Sequence, residues 1–181
     1  VIADRAFYGA PITSLTLGSS LAAWGNTTDD RDPFYGICSS LISVDINIAE
    51  IPAHAFDGCS QLISLTLGAN VNEIGTAAFA NAQSLETLVI PSSVTGLGSS
   101  SFSGASALKE VAIPDSVTTL GSSSFSGASA LESVDLGSGL TLLGSSVFEG
   151  AVSLTFINIP DSIVSIGYEA FKDSGLTTLV I

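Results

Sequence analysis

Phe56, Phe79, Phe102, Phe125, Phe148 and Phe171 stand 23 residues apart, and a fixed period of that length marks a chain of stacked, equivalent units. Four whole units follow one another without a gap at 62–84, 85–107, 108–130 and 131–153, and the segment GSSSFSGASAL occurs unchanged at 98–108 and 121–131. The flanking units vary in length. The unit at 154–175 is one residue short, that at 41–61 lacks two, and that at 12–40 is six longer, five of the extra residues lying between Gly25 and Phe34. Residues 1–11 read as the back half of a preceding unit and 176–181 as the start of another. Residues 1–181 are therefore expected to form one domain of about eight repeats, cut from a longer protein.

Within a unit the apolar residues occupy positions 1, 4, 6, 10, 13 and 18; in 85–107 these are Leu85, Leu88, Ile90, Val94, Leu97 and Phe102. The first three alternate as in a strand, and the strand is closed at position 7 by Pro91, Pro114, Gly137 or Pro160. A proline there cannot donate the next ladder hydrogen bond. Position 14 is glycine in Gly75, Gly98, Gly121, Gly144 and Gly167, which predicts a positive φ or a very tight turn. No segment between strands is long or periodic enough for a regular helix, so at most a single turn of helix is expected near each Phe. One such coil cannot bury its own apolar face, whereas stacking sets Leu on Leu and Phe on Phe. The fold expected is a parallel solenoid.

Composition excludes several functions. Four Lys and Arg stand against seventeen Asp and Glu, for a net charge of −13; Arg5, Arg31, Lys109 and Lys172 are too few and scattered to neutralise phosphates. Anionic membranes repel such a chain. No apolar run approaches the roughly 18 residues that span a bilayer. With 46% hydrophobic and 12% charged residues, the composition is that of an ordered chain.

The order of residues in 154–171, LTFINIPDSIVSIGYEAF, and in 51–59, IPAHAFDGC, resembles the BspA-like leucine-rich-repeat surface proteins over nearly the whole chain. The resemblance implies a leucine-rich-repeat solenoid, a right-handed horseshoe with a parallel β-sheet on the concave side and mostly turns and loops on the convex side. It also implies a secreted or surface-anchored adhesin that binds host matrix or other cells. The chain departs from the common pattern at position 9, where Ser20, Asn70, Ser93, Ser116, Gly139 and Ser162 replace a usual Asn ladder; a Ser hydroxyl can supply part of that network. Position 21, often Cys in the family, keeps only Cys38 and Cys59.

No catalytic set is recognisable. The single His54 lies in a short loop before Phe56 and reads as a solvated loop residue. Cys and His are too few for a zinc site, and no cofactor is implied. Cys38 and Cys59 fall at equivalent places of adjacent coils, close enough for a disulfide; two buried free thiols in place of Ala are the favoured alternative. The insertion at 25–33, GNTTDDRDP, reads as a solvated acidic loop, its Asp29, Asp30 and Asp32 not matching a known calcium loop. Asn26 opens a formal glycosylation sequon.

The working surface is expected on outward strand positions. Asp45, Thr66, Val89, Ala112, Asp135 and Asn158 stand at position 5, and Thr87, Glu110 and Phe156 at position 3. Phe156 is either an anchor for a partner or a single exposed apolar residue. The leading reading is a non-catalytic, extracellular or cell-surface protein that binds a protein or glycan on another cell or matrix. The alternatives are an intracellular or structural scaffold and a surface that orders water or mineral, the last opposed by the absence of a regular Thr lattice. The raw edges of the end coils predict end-to-end self-association.

Overall fold

The computed structural model describes residues 6–21, 34 and 36–180. Among them there is no helix; fourteen short strands and the turns between them form a parallel-strand solenoid. Two strands recur in each coil. The longer set, from positions 3–6, comprises β1 (Ser14–Leu17), β2 (Ser43–Ile46), β4 (Ser64–Leu67), β6 (Thr87–Val89), β8 (Glu110–Ala112), β10 (Ser133–Asp135), β12 (Phe156–Asn158) and β14 (Thr178–Val180). A second set, which the sequence pattern did not disclose, holds two residues per strand: β3 (Glu50–Ile51), β5 (Glu73–Ile74), β7 (Gly96–Leu97), β9 (Thr119–Leu120), β11 (Leu142–Leu143) and β13 (Ser165–Ile166).

Pairing is parallel throughout, each residue facing its equivalent in the next coil, as in Val89 to Ala112 to Asp135. The longer strands run as β1-β2-β4, β6-β8-β10 and β12-β14; β4 packs beside β6 and β10 beside β12, so one face continues along the solenoid. A third line of main-chain bonds crosses the turns. The N–H groups of Ser100, Phe102 and Gly104 donate to the carbonyls of Ser122, Ser124 and Ser126, and the same triplet repeats from His54 to Gly150 at 2.6–3.0 Å. Backbone polar groups in the turns are thereby satisfied by the neighbouring coil rather than by a helix.

That line explains an unusual backbone. His54, Ala77, Ser100, Ser123, Ser146 and Glu169, all at position 16, have φ between 52° and 58°, a left-handed geometry that costs an L-residue about 1–2 kcal/mol. Each of these N–H groups outside the last coil makes an inter-coil bond, which holds it there. Position 20 is left-handed too, and carries Gly58, Gly104, Gly127 and Gly150 or the tolerant Asn81 and Asp173. The glycines at position 14, in contrast, do not have positive φ. They serve close approach: a Cβ on Gly98 would lie 2.5 Å from the carbonyl carbon of Gly75, and one on Gly75 would lie 2.5 Å from the amide nitrogen of Ala53. The expected positive φ is not found, and the close neighbour that requires glycine here is the backbone of the adjacent coil, which the sequence did not disclose.

The core is a set of ladders. Leu41, Leu62, Leu85, Leu108, Leu131 and Leu154 are wholly buried, and the rings of Phe7, Phe34, Phe56, Phe79, Phe102, Phe125, Phe148 and Phe171 stack with centroids 5.1–5.9 Å apart and planes within 15°. These centroid distances lie in the favourable range for offset aromatic pairs. The serines of position 9 partly rebuild the expected ladder. The Ser93 hydroxyl donates to the Val71 carbonyl at 2.5 Å and the Ser116 hydroxyl to the Val94 carbonyl at 2.7 Å. Ser162, one coil beyond Gly139, keeps a buried hydroxyl without a partner.

Two further hydroxyls are orphaned beside the Phe stack. Ser101 and Ser124 are 0% exposed and their Oγ atoms have no partner; the equivalent residues of other coils are Ala55, Ala78, Val147 and Ala170. A buried hydroxyl without a hydrogen bond costs about 1–3 kcal/mol. Ser101→Ala and Ser124→Ala are therefore expected to raise stability by about 1 kcal/mol each in urea unfolding, with loss of stability refuting the assignment. The two kinds of glycine separate in the same assay: Gly98→Ala should cost about 2–3 kcal/mol through backbone overlap. Gly127→Ala, where a Cβ meets nothing nearer than 3.6 Å, should cost only the left-handed φ, about 1–2 kcal/mol.

Candidate binding face

All nine outward residues named from the sequence are exposed and share one face of the longer strands. Asp45 on β2 stands directly beside Thr66 on β4. Val89, Ala112 and Asp135 form the next stretch of that row, with Thr87, Glu110 and Ser133 in the row beside it. Phe156 and Asn158 continue the two rows on β12, opposite Thr178 and Val180 of β14. Val89 is 76% and Phe156 50% exposed.

The face is not uniformly flat. A shallow cavity of about 330 Å³ opens where the small Ala112 lies between Val89 and Asp135, with Glu110 and Ser133 beside it. Charge on the adjoining position 2 is internally compensated: Lys109 Nζ lies 2.7 Å from Glu86 Oε2. That hydrogen bond, with the attraction of unlike charges, holds the Glu86 carboxyl below its ordinary value and the Lys109 ammonium above its own. In the exposed turn after β8, Asp115 Oδ1 accepts from the backbone N–H and hydroxyl of Ser138, one coil on, at 2.8 and 2.9 Å, which lowers the Asp115 carboxyl.

His54 pairs with Asp57, Nδ1 to Oδ2 at 3.2 Å, and Asp57 Oδ1 accepts from Asn81 Nδ2 at 3.2 Å. The His is thus tied into a coil-to-coil polar contact and not to a hydroxyl or thiol. No group of three or more His, Cys, Asp or Glu able to hold a metal occurs among the described residues. The insertion at 25–33, with its calcium question and Asn26 sequon, lies outside them.

The cysteines differ from the favoured reading. Cys38 and Cys59 are joined in a disulfide with Cα atoms 4.1 Å apart; they are stacked at the position where other coils carry Ala82, Ala105, Ala128 and Ala151. In-register stacking brings the two Cβ atoms together, which spacing alone had only allowed. A second cavity of about 440 Å³ beside this bond is lined by Tyr8, Gly9, Gly36, Cys38, Ser39, Asp57 and Gly58; its only sequence signal was the recurrent glycine of position 20.

Comparison with known proteins decides the family. The model of the BspA-type leucine-rich-repeat region matches in six copies over residues 1–108 and 49–177. The chain belongs to the BspA-type leucine-rich-repeat family. A leucine-rich-repeat protein of T. pallidum is 31% identical, with 90% of this chain and 77% of that one covered and a TM-score of 0.78. A leucine-rich cell surface protein of Faecalibacterium prausnitzii is 28% identical with a TM-score of 0.77, covering 93% of this chain and 47% of its own. The BspA-type chain thus spans about half the length of that relative. A leucine-rich-repeat protein of Bacteroides ovatus, 22% identical, with 90% of this chain and 50% of that one covered and a TM-score of 0.72, shares the fold. None of the curated proteins matches. BspA-type repeats are typically binding scaffolds, and among the described residues no helix is long and apolar enough to cross a membrane.

The disulfide closes a segment of sequence separation 21, so its loss should cost about 3 kcal/mol by the chain-entropy relation. Thiol titration of the denatured, unreduced BspA-type chain should find no free thiol, and unfolding in dithiothreitol should occur at lower denaturant. Two titratable thiols would refute the bond.

Proposed function

We propose that this chain is a non-catalytic recognition module of a secreted or cell-surface protein, binding a protein or glycan partner through the outward rows of the longer strands. The observation that carries the reading is the continuous exposed face of these strands, in which Val89 and Phe156 offer apolar anchors among Ser, Thr and sparse carboxylates. Well-placed aromatic anchors concentrate binding energy. The Cys38–Cys59 bond supports an extracytoplasmic location, since disulfides persist mainly in oxidising compartments. The F. prausnitzii relative being a cell surface protein supports it too.

The test is binding of the purified chain to a panel of immobilised extracellular-matrix proteins and glycans. Saturable binding to at least one member is expected, and Val89→Asp with Phe156→Ala should weaken it about tenfold or more while leaving the denaturation midpoint unchanged. Binding indifferent to these two substitutions would remove the strand face from the function.

A further inference from the structure

The cavity on the strand face has a chemical character of its own. It is lined by Val89 and by Ala112, the smallest side chain of the row, with Asp135 across Ala112 from Val89 and Glu110 two places before Ala112 on β8. Glu110 and Asp135 are on adjacent strands and two places apart in register, so both project from the same face. Unlike that of Glu86, which Lys109 neutralises, neither carboxylate forms a hydrogen bond or ion pair among the described residues. Lys109, which precedes Glu110 in the chain, is already engaged by Glu86. A shallow hollow of about 330 Å³ lined by an exposed valine, a small alanine and two uncompensated carboxylates fits a long aliphatic stem ending in a positive charge.

We infer that this depression takes a lysine or arginine side chain of a protein partner, the stem lying across Ala112 against Val89 and the head between Glu110 and Asp135. The inference rests on the proposed use of the strand face and narrows the partner to a protein with an exposed basic residue. Long basic side chains bury their stems on apolar surface while the charge stays at the rim. The carboxylates of a chain of net charge −13 also steer a basic partner toward the surface, an effect that salt screens. A neutral glycan would leave both carboxylates unmatched, and desolvating them without a counter-charge is unfavourable.

The test is an NMR titration of the methyl-labelled chain with N-acetyl-arginine methylamide, with lactose in parallel. Saturable shifts are expected at the Val89 and Ala112 methyls and not at the exposed Val164 methyls, which stand just before β13 and outside the cavity. Affinity should fall about fivefold in Glu110→Gln/Asp135→Asn and on raising salt, and should be retained in the control Glu50→Gln/Glu73→Gln, which makes the same charge change on β3 and β5. Filling the hollow with Ala112→Leu should also weaken it with the charges intact. Equal shifts at Val164, lactose shifts at Val89 with arginine silent, or wild-type affinity in Glu110→Gln/Asp135→Asn would each overturn the inference. A silent arginine titration beside matrix binding that is lost in Val89→Asp would overturn it while leaving the face as the binding surface. Arginine capture at the cavity with matrix binding unaffected by face substitutions would uphold the site and count instead against the wider reading.

Discussion

Among the described residues, adjacent coils are held together by main-chain hydrogen bonds at three kinds of place: the longer strands, interrupted between β4 and β6 and between β10 and β12, the two-residue strands, interrupted between β9 and β11, and the turn around the Phe. This triple lacing sets a single short spacing between coils, and the remaining features follow from it. Glycine occupies position 14 because the backbone of the preceding coil passes where a Cβ would be. Position 16 is left-handed whichever residue stands there, and outside the last coil its N–H bonds the next coil. Phe rings stack at 5.1–5.9 Å because the coil spacing sets their separation.

The same spacing organises the surface. Residues 23 apart in the chain become side-by-side neighbours, so Glu86 meets Lys109 and Asp115 meets the turn of Ser138. Electrostatics on a solenoid is therefore a matter of columns. A charge is compensated or left bare according to what the next repeat carries at the same position. Glu86 has a lysine in its column and Asp135 stands beside Ala112. Small variations between near-identical repeats thus become the distinctive features of an otherwise regular face.

Much of this was legible in the chain itself. The period, the buried positions and the outward rows followed from the alternation of Leu and the spacing of Phe, and the structure places them as read. The second strand was missed because two residues are too few to show a period of two. The role of the position-14 glycine was misjudged as a positive φ or a tight turn, because the close neighbour that excludes a Cβ there belongs to the adjacent coil, whose path residue type does not show. The left-handed position 16 had no consistent signal, being Ala, Ser, Glu or His. Position 20 did have one, the run of Gly, Asn and Asp.

By itself, then, the sequence determined that equivalent coils stack, which side chains enter the core and which residues line the exposed rows, since these depend on local pattern repeated many times. Tertiary structure alone decided which residues across coils touch: the Cys38–Cys59 bond, the backbone contacts at Gly98, the bare carboxylates about Ala112. Such contacts are set by register and distance between segments some 21 to 25 residues apart, quantities that residue type constrains only weakly and that a lattice of main-chain hydrogen bonds makes definite.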